Sequence, residues 1–288
     1  MSVQRVTELP TLPSRPADAH KGSFGRVVIA AGSRGMSGAA ALAGLGALRG
    51  GAGLVYVAVP ESILPIVAGI DPSYLTIPLP EDDHGRISKG AGSILLESLQ
   101  EASAAAIGPG WGQSKKLTSL ASKLYSSAEC PLVVDADALN ALASSSGFSG
   151  ALAPRILTPH PGEFSRMTGK PIAEIQQNRE QFAIDFAREN SVVLLLKGHE
   201  TVITDGEKIA INPTGNPGMA TGGSGDVLTG LIAALLAQKM EPFAAAQLGA
   251  YLHGLAGDCA AEEVAQHGLI ASDLLLYLGD AWLTVEET

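Results

Sequence analysis

Residues 212–236 read Asn212-Pro-Thr-Gly-Asn-Pro-Gly-Met-Ala-Thr221-Gly-Gly-Ser-Gly-Asp226-Val-Leu-Thr-Gly-Leu-Ile-Ala-Ala-Leu-Leu236, a glycine-rich turn that runs directly into an apolar helix. Gly222, Gly223 and Gly225 clear side chains from the turn, so that backbone N–H groups can converge around Ser224. The helix start adds roughly half a positive charge at the same spot, and together these features make an anion hole. Asp226 follows in the first helical turn, where a carboxylate can take the proton of an attacking hydroxyl. Asp is also a favoured helix cap, but a cap alone does not call for three glycines in four positions. The expected chemistry is phosphoryl transfer.

Outward from this turn, other phosphate signatures are missing. No Gly-x-x-x-x-Gly-Lys-[Ser/Thr] occurs anywhere in the chain. Gly44-x-Gly46 and Gly108-Pro-Gly-Trp-Gly112 loosely match a dinucleotide fingerprint, but neither supplies Gly-x-Gly-x-x-Gly with an acidic residue some 20 positions on.

Short apolar runs alternate with amphipathic or small-residue helical stretches from Arg26 to Trp282, which predicts an α/β fold with a mostly parallel sheet between helices. Strands are expected at 26–31, 54–59, 104–107, 132–135, 155–158, 192–197 and 201–204. Several are unbroken runs of β-branched residues or leucine, as suits strands covered on both faces. Helices are expected at 38–49, 88–100, 114–126, 172–189, 225–238, 242–265 and 271–279. Thr204-Asp-Gly-Glu-Lys208 reads as a hairpin turn. Pro10, Pro13 and Pro16 mark residues 1–20 as an extended arm ahead of one domain over 21–288. Residues 244–257 are rich enough in Ala and Gly to pack very closely on their neighbours.

Of 288 residues, 46% are hydrophobic and 17% charged, enough apolar mass for one large core. The 34 glycines exceed the ordinary share of roughly 7% and point to many tight turns. A net charge of −10 argues against nonspecific nucleic-acid binding, so any anionic ligand needs a locally positive pocket. No run of 18 apolar residues could span a membrane, and the first twenty residues lack the apolar core of a secretory signal. Cys130 and Cys259 are too few and too far apart for a disulfide framework or zinc site, which fits a reducing cytoplasm.

At Gly222-Gly-Ser-Gly-Asp226 the chain resembles the ribokinase-like superfamily, whose fold is a three-layer α/β/α structure. Further segments narrow the resemblance to the ADP/ATP-dependent (S)-NAD(P)H-hydrate dehydratase family. These are Lys21-Gly-Ser-Phe-Gly25, Ala30-Ala-Gly-Ser33, Ser37-Gly-Ala-Ala40, Gly50-Gly-Ala-Gly53, Ile107-Gly-Pro-Gly110, Val134-Asp-Ala-Asp-Ala-Leu-Asn140, Leu157-Thr-Pro-His-Pro-Gly-Glu163, Lys197-Gly-His-Glu-Thr201 and His253-Gly-Leu-Ala-Gly-Asp258. The resemblance implies a repair enzyme. ADP or ATP, with Mg2+, phosphorylates the hydroxyl of hydrated NADH or NADPH, and loss of phosphate then restores the nicotinamide double bond.

Carried over by position, the resemblance implies Asp226 as catalytic base and substrate contact, with Ala39, Gly110 and His160 also touching substrate. It implies Lys197, Gly198, His199, Glu200, Thr201 and Gly225 as nucleotide contacts, and Glu163 as a metal-orienting residue. Glu163 reads equally well as a helix cap, and the family's Asn-x-x-Glu pattern is only partly met because His160 stands in place of the Asn. Asp135 and Asp137 end a strand where open sheets bind ligands; either positions metal or water, or Asp137 caps the helix that follows. For His253 and Asp258, packing is the simpler reading.

Only about twenty residues precede Lys21, so a fused epimerase domain is not expected; a separately encoded epimerase is the expected pathway partner, and a homotetramer the expected assembly. Two alternatives stand beside this reading: a ribokinase-like kinase for a sugar or vitamin precursor, and a nucleotide-binding sensor without chemistry.

Overall fold

The computed structural model describes residues 3–12, 14–145 and 147–287; Pro13 of the expected arm lies outside the described residues. In chain order the strands are β1 (Gln4–Arg5), β2 (Arg26–Ala30), β3 (Leu54–Pro60), β4 (Leu75–Leu79), β5 (Ala104–Ile107), β6 (Leu132–Val134), β7 (Arg155–Leu157), β8 (Val193–Leu196), β9 (Val202–Thr204) and β10 (Lys208–Ile211). The α-helices are α1 (Ser37–Arg49), α2 (Leu64–Ala68), α3 (Ala91–Gln100), α4 (Lys115–Ser127), α5 (Ala136–Ala143), α6 (Pro161–Thr168), α7 (Ile172–Gln177), α8 (Arg179–Asn190), α9 (Ser224–Ala237), α10 (Pro242–Val264) and α11 (Ala271–Glu286).

One sheet holds the strands in the order β1-β10-β9-β8-β7-β6-β5-β2-β3-β4, and only β9 runs against its neighbours. Alternation along β2 sorts the two faces. Val27 and Ile29 point into a core built with α1, α9, α10 and α11, whereas Val28 and Ala30 point into one built with α3 to α8. The expected three-layer α/β architecture is therefore present, with no helix among the described residues long and apolar enough to cross a membrane. Both cysteines are free, Cys130 buried and Cys259 partly so.

Two features of this frame position the candidate site. From β2 the chain moves outward through β3 and β4, then returns to lay β5 on the other side of β2, so the order reverses between β2 and β5. A crevice opens at the C-terminal ends of strands where such a reversal occurs. Secondly, α1 and α9 pack backbone on backbone. A Cβ on Gly46 would lie 2.4 Å from the Val227 carbonyl oxygen, and one on Gly230 would lie 1.9 Å from that of Ala43. Gly46, weighed in the sequence as part of a dinucleotide signal, is a packing glycine that fixes the depth of α9.

The structure departs from expectation at several elements. β4 is an edge strand with an internal proline, Pro78, and an exposed Leu75, so it lacks the apolar run of a central strand. β1 is two residues that pair in parallel with β10, drawing part of the expected arm into the sheet. The single helix expected over 172–189 breaks at Asn178, whose φ of −139° and ψ of 40° are not helical. α11 runs on past 279 to Glu286.

Candidate active site

α9 starts where the glycine turn ends. Gly223, its N-cap, has φ +98°, a left-handed conformation that glycine adopts freely and other residues do not. A Cβ there would also lie 2.5 Å from Leu42 Cδ1. The turn is held from both sides: Ser224 Oγ donates to the Met219 carbonyl (2.9 Å), and the buried His253 ring of α10 meets the Ser224 carbonyl through Nε2 (2.9 Å). Burial lowers the pKa of His253 to about 4, so the ring is neutral; since a carbonyl only accepts, Nε2 carries the hydrogen.

Asp226 sits in the first turn of α9, largely shielded from solvent. Burial pushes its carboxyl up from 3.8 to about 7; Asp135, Asp137 and Glu163 add to the rise, and the Lys197 ammonium opposes it. A carboxyl so placed can hold or release a proton near neutral pH.

Lys197 follows β8 directly. Its Nζ lies 3.0 Å from Asp135 Oδ1 and 3.9 Å from Glu163 Oε2. Burial disfavours its charge, but the two carboxylates outweigh that and raise its pKa. The same Nζ would stand 3.2 Å from a Cβ at Gly225, so this glycine lets the ammonium approach the start of α9. Asp135 is 1% exposed, and its second oxygen accepts from Thr229 Oγ1 of α9 at 2.8 Å.

A cleft of about 640 Å³ opens beside Lys197, lined by the turn Gly198–Thr201, the segment 212–217, Gly225 and the α10 residues Ala250, His253 and Gly254. All six residues expected to touch nucleotide line it. The turn after β8 is clamped by Arg179, the first residue of α8, which donates to the Leu196 carbonyl (3.0 Å) and to that of His199. Arg179 carries no signal in the sequence, standing 18 positions before Lys197 in an otherwise ordinary amphipathic helix.

The far wall is pinned by Asp258, which accepts the Gly215 N–H (2.8 Å) and the Asn216 side-chain amide (3.0 Å). Asp258 is thus a loop anchor and not a packing residue, and His253 likewise steadies the glycine turn. Small residues bring this wall onto α10. A Cβ at Gly254 would lie 2.2 Å from Thr214 Oγ1, and one at Gly257 would lie 2.2 Å from Met219 Sδ.

The crevice between β2 and β5 holds Ala39 and Gly110 together: a Cβ on Gly110 would lie 2.9 Å from that of Ala39. The loops are tied by Gly32 N–H to the Pro109 carbonyl (2.8 Å) and by Ser33 Oγ to the Gly110 carbonyl (2.8 Å). Asp137 accepts the Gly112 N–H at 2.8 Å. It lies inside α5, whose N-cap is Asp135, so Asp137 fixes the Gly108–Gly112 turn instead of capping a helix at 138. Ala136 between them has φ +51°, a conformation that costs a non-glycine residue about 1–3 kcal/mol.

His160 and Glu163 form a reciprocal capping box on α6. His160 Nδ1 accepts from the Gly162 and Glu163 N–H groups (3.0 and 3.3 Å), and Glu163 Oε2 accepts the His160 N–H (2.8 Å). His160 also lines the cleft, half-exposed, with burial and the nearby Lys197 lowering its pKa. The carboxylate expected to orient a metal is therefore engaged as a helix cap, and burial raises its pKa. Among the described residues no group of three or more His, Cys, Asp or Glu side chains is arranged to hold a metal ion. The residues present do not fit a protein-built magnesium cage.

A mostly parallel sheet between two helical layers, a glycine turn opening a buried helix and an aspartate in the first turn of that helix define a ribokinase-like α/β protein. Residues 27–278 match the Carb_kinase family model, described as NAD(P)H-hydrate dehydratase, and the chain belongs to that family. A bifunctional NAD(P)H-hydrate repair enzyme of Moorella thermoacetica is 49% identical over 279 residues, covering 96% of this chain and 52% of that protein. The chain thus spans about half the length of such bifunctional relatives. The ADP-dependent (S)-NAD(P)H-hydrate dehydratase of Bacillus subtilis is 38% identical over 279 residues, covering 96% of this chain and 95% of that one. A crystal structure of the Bacillus subtilis ADP/ATP-dependent NAD(P)H-hydrate dehydratase, co-crystallised with ATP and Mg2+, superposes with a TM-score of 0.83 at 35% identity, covering 95% of this chain and 94% of that chain.

Proposed function

We propose that the chain dehydrates the S form of hydrated NADH or NADPH at the expense of ADP or ATP, through a phosphorylated intermediate. The observation that carries this reading is the position of Asp226. It lies at the start of α9, next to Lys197 and the large cleft, with charges from the β2–β5 crevice side (Asp137) and the cleft side (Lys197, Glu163) both acting on it. Nucleotide is taken to occupy the cleft over Lys197–Thr201 and Gly225, and the hydrate the β2–β5 crevice at Ala39 and Gly110, reaching toward His160 at the edge of the cleft.

In the first step Asp226 accepts the proton of the hydrate hydroxyl as its oxygen attacks the terminal phosphorus of the nucleotide. The bond from that phosphorus to the bridging oxygen breaks, leaving AMP from ADP or ADP from ATP. Lys197 and the bare amides of residues 222–225 offset the charge on the moving phosphoryl group. In the second step the C–O bond breaks, inorganic phosphate leaves with the electron pair, and loss of a ring proton restores the double bond. Phosphorylation is what makes this possible, since hydroxide alone is a poor leaving group.

A magnesium ion accompanying the nucleotide would be carried mainly by phosphate oxygens and water, as Mg2+ commonly is; no step above depends on it. One catalytic domain over 21–288 behind an arm at 1–20, cytoplasmic location, a homotetrameric assembly and an epimerase acting on the other hydrate stereoisomer belong to the same proposal. Incubation of the pure protein with hydrated NADH and ADP or ATP is expected to restore the near-ultraviolet absorbance of the reduced nicotinamide and release inorganic phosphate. Phosphate retained on an organic product would mark a small-molecule kinase instead, and binding without nucleotide turnover a sensor.

A further inference from the structure

Asp135 is the most buried carboxylate near the glycine turn, and the proposed chemistry leaves it without a role. It stands at the end of β6, 62 positions from Lys197 and 94 from Thr229, yet bonds to both: Oδ1 to the ammonium at 3.0 Å and Oδ2 to Thr229 Oγ1 at 2.8 Å. Thr229 is fully buried and stands three residues after Asp226 on α9, hence on the same helix face. Three elements, β6, β8 and α9, therefore converge on one side chain.

Such an arrangement is poorly explained by stability. Taking two charges out of water costs about as much as their attraction returns, so a buried pair is often replaceable by apolar residues at no loss. What the pair does supply is geometry. An ammonium has three N–H donors; Asp135 takes one and fixes the direction of the other two. The ammonium is thereby held beside Gly225, where a bound phosphoryl group would meet the start of α9.

We infer that Asp135 is a positioning residue for phosphoryl transfer: gripped by Thr229, it holds the Lys197 ammonium beside Gly225 and sets a negative charge behind Asp226. The inference rests on the proposed function above. It also bears on the base. The charged groups facing Asp226 are Asp135 from the end of β6, Asp137 of α5, Glu163 of α6 and Lys197 after β8. Asp135 is the foremost of the charges that keep the Asp226 carboxyl protonated, and Lys197 is the one that opposes it.

Asp135→Asn keeps the shape and removes the charge. With hydrated NADH and ADP or ATP, kcat is expected to fall about 10- to 10²-fold, the scale for a misplaced catalytic group. A merely structural role would stop there. The inference further requires the acid limb of kcat/KM to move to lower pH by about one unit, because a like charge beside the base is gone, and nucleotide Kd by calorimetry to rise several-fold, because the Lys197 ammonium is no longer held where a phosphate would meet it. A folded Asp135→Asn protein with an unmoved acid limb overturns the inference. Should that variant fail to fold, Thr229→Val, close in volume, decides: it leaves the charge in place, so kcat is expected to drop several-fold with the acid limb unmoved, and wild-type kcat overturns the inference. If the wild-type protein itself consumes no hydrate with either nucleotide, it is the proposed function that fails; nucleotide Kd in Lys197→Met with and without Asp135→Asn then judges the pair. An effect of Asp135→Asn that vanishes in the Lys197→Met background supports the positioning role, and one that persists there refutes it.

Discussion

Replacing Asp226 by Asn is expected to make the protein both inactive and more stable above neutral pH. The carboxyl titrates at 3.8 in an open chain and at about 7 in this fold. Between these limits the folded protein holds a proton that the unfolded chain has already released, so stability falls as pH rises through that window and levels off above about 7. The slope is about 1.4 kcal/mol per pH unit. From pH 5 to pH 8 about 3 kcal/mol is at stake, reduced to about 2 kcal/mol by the solvent that still reaches the group. Asn imitates the protonated carboxyl and never meets this cost. In a chain of this size 1 kcal/mol moves Tm by about 2 °C, so Tm of the variant minus that of the wild type should grow by about 4 °C between pH 5 and pH 8. Thermal unfolding of both proteins by circular dichroism across that range reads the difference, and pH effects elsewhere in the molecule cancel. A gap that is the same at both ends, or that shrinks, would show that the Asp226 environment is not what raises its pKa. Turnover should fall by about 10²–10⁴-fold, as for loss of a general base.

The free enzyme's kcat/KM should lose about tenfold per pH unit below 7, because only the ionised base is competent; a profile level from pH 5 to 8 speaks against Asp226 as base. Lys197→Met should raise nucleotide Kd at least tenfold in calorimetry and, by leaving the Asp135 and Glu163 carboxylates without their cation, cost about 3–5 kcal/mol in denaturant unfolding. Gly223→Ala, with φ +98° and a Cβ 2.5 Å from Leu42 Cδ1, should cost about 1–3 kcal/mol and weaken nucleotide binding; unchanged values for both would mean that the turn relaxes freely. Asp258→Ala, which frees the Gly215 N–H and the Asn216 amide, should raise KM for nucleotide several-fold with kcat little altered in steady-state kinetics.

The parts of the fold legible in the sequence are those whose residues answer to local rules. β2, β3, β5 and β8 are unbroken apolar runs because both faces are covered, and α9 follows a glycine turn that only a helix start explains. β4 and β1 escape because an edge strand needs neither a long apolar run nor an alternating pattern; its partner supplies the register. The break falls at Asn178, a residue type favoured at helix N-caps, but one such residue inside a helical pattern is too weak a local signal to divide it. Within the candidate site, Lys197, Gly225 and Asp226 stand out through their neighbours in sequence. Asp135 is legible as a strand-end carboxylate, but its partners Lys197 and Thr229, 62 and 94 positions away, are not, and Arg179 clamps a turn 17 to 20 positions on without any local signal. Glu163, His253 and Asp258 show the converse limit: residue type marks them as polar and interior, but only the fold distinguishes a cap from a ligand or a loop anchor from packing.

The seating of Thr214 and Met219 against Gly254 and Gly257 makes the roof of the cleft an extension of a 23-residue helix. On this side the chamber widens only if the segment 212–219 or the helix itself moves. Occupancy by nucleotide should therefore be felt along its length, slowing amide exchange near Ala260 and where α11 leans on it, far from any atom the ligand touches. The helix would then act as a stiff lever joining the chamber to the outer face of the molecule.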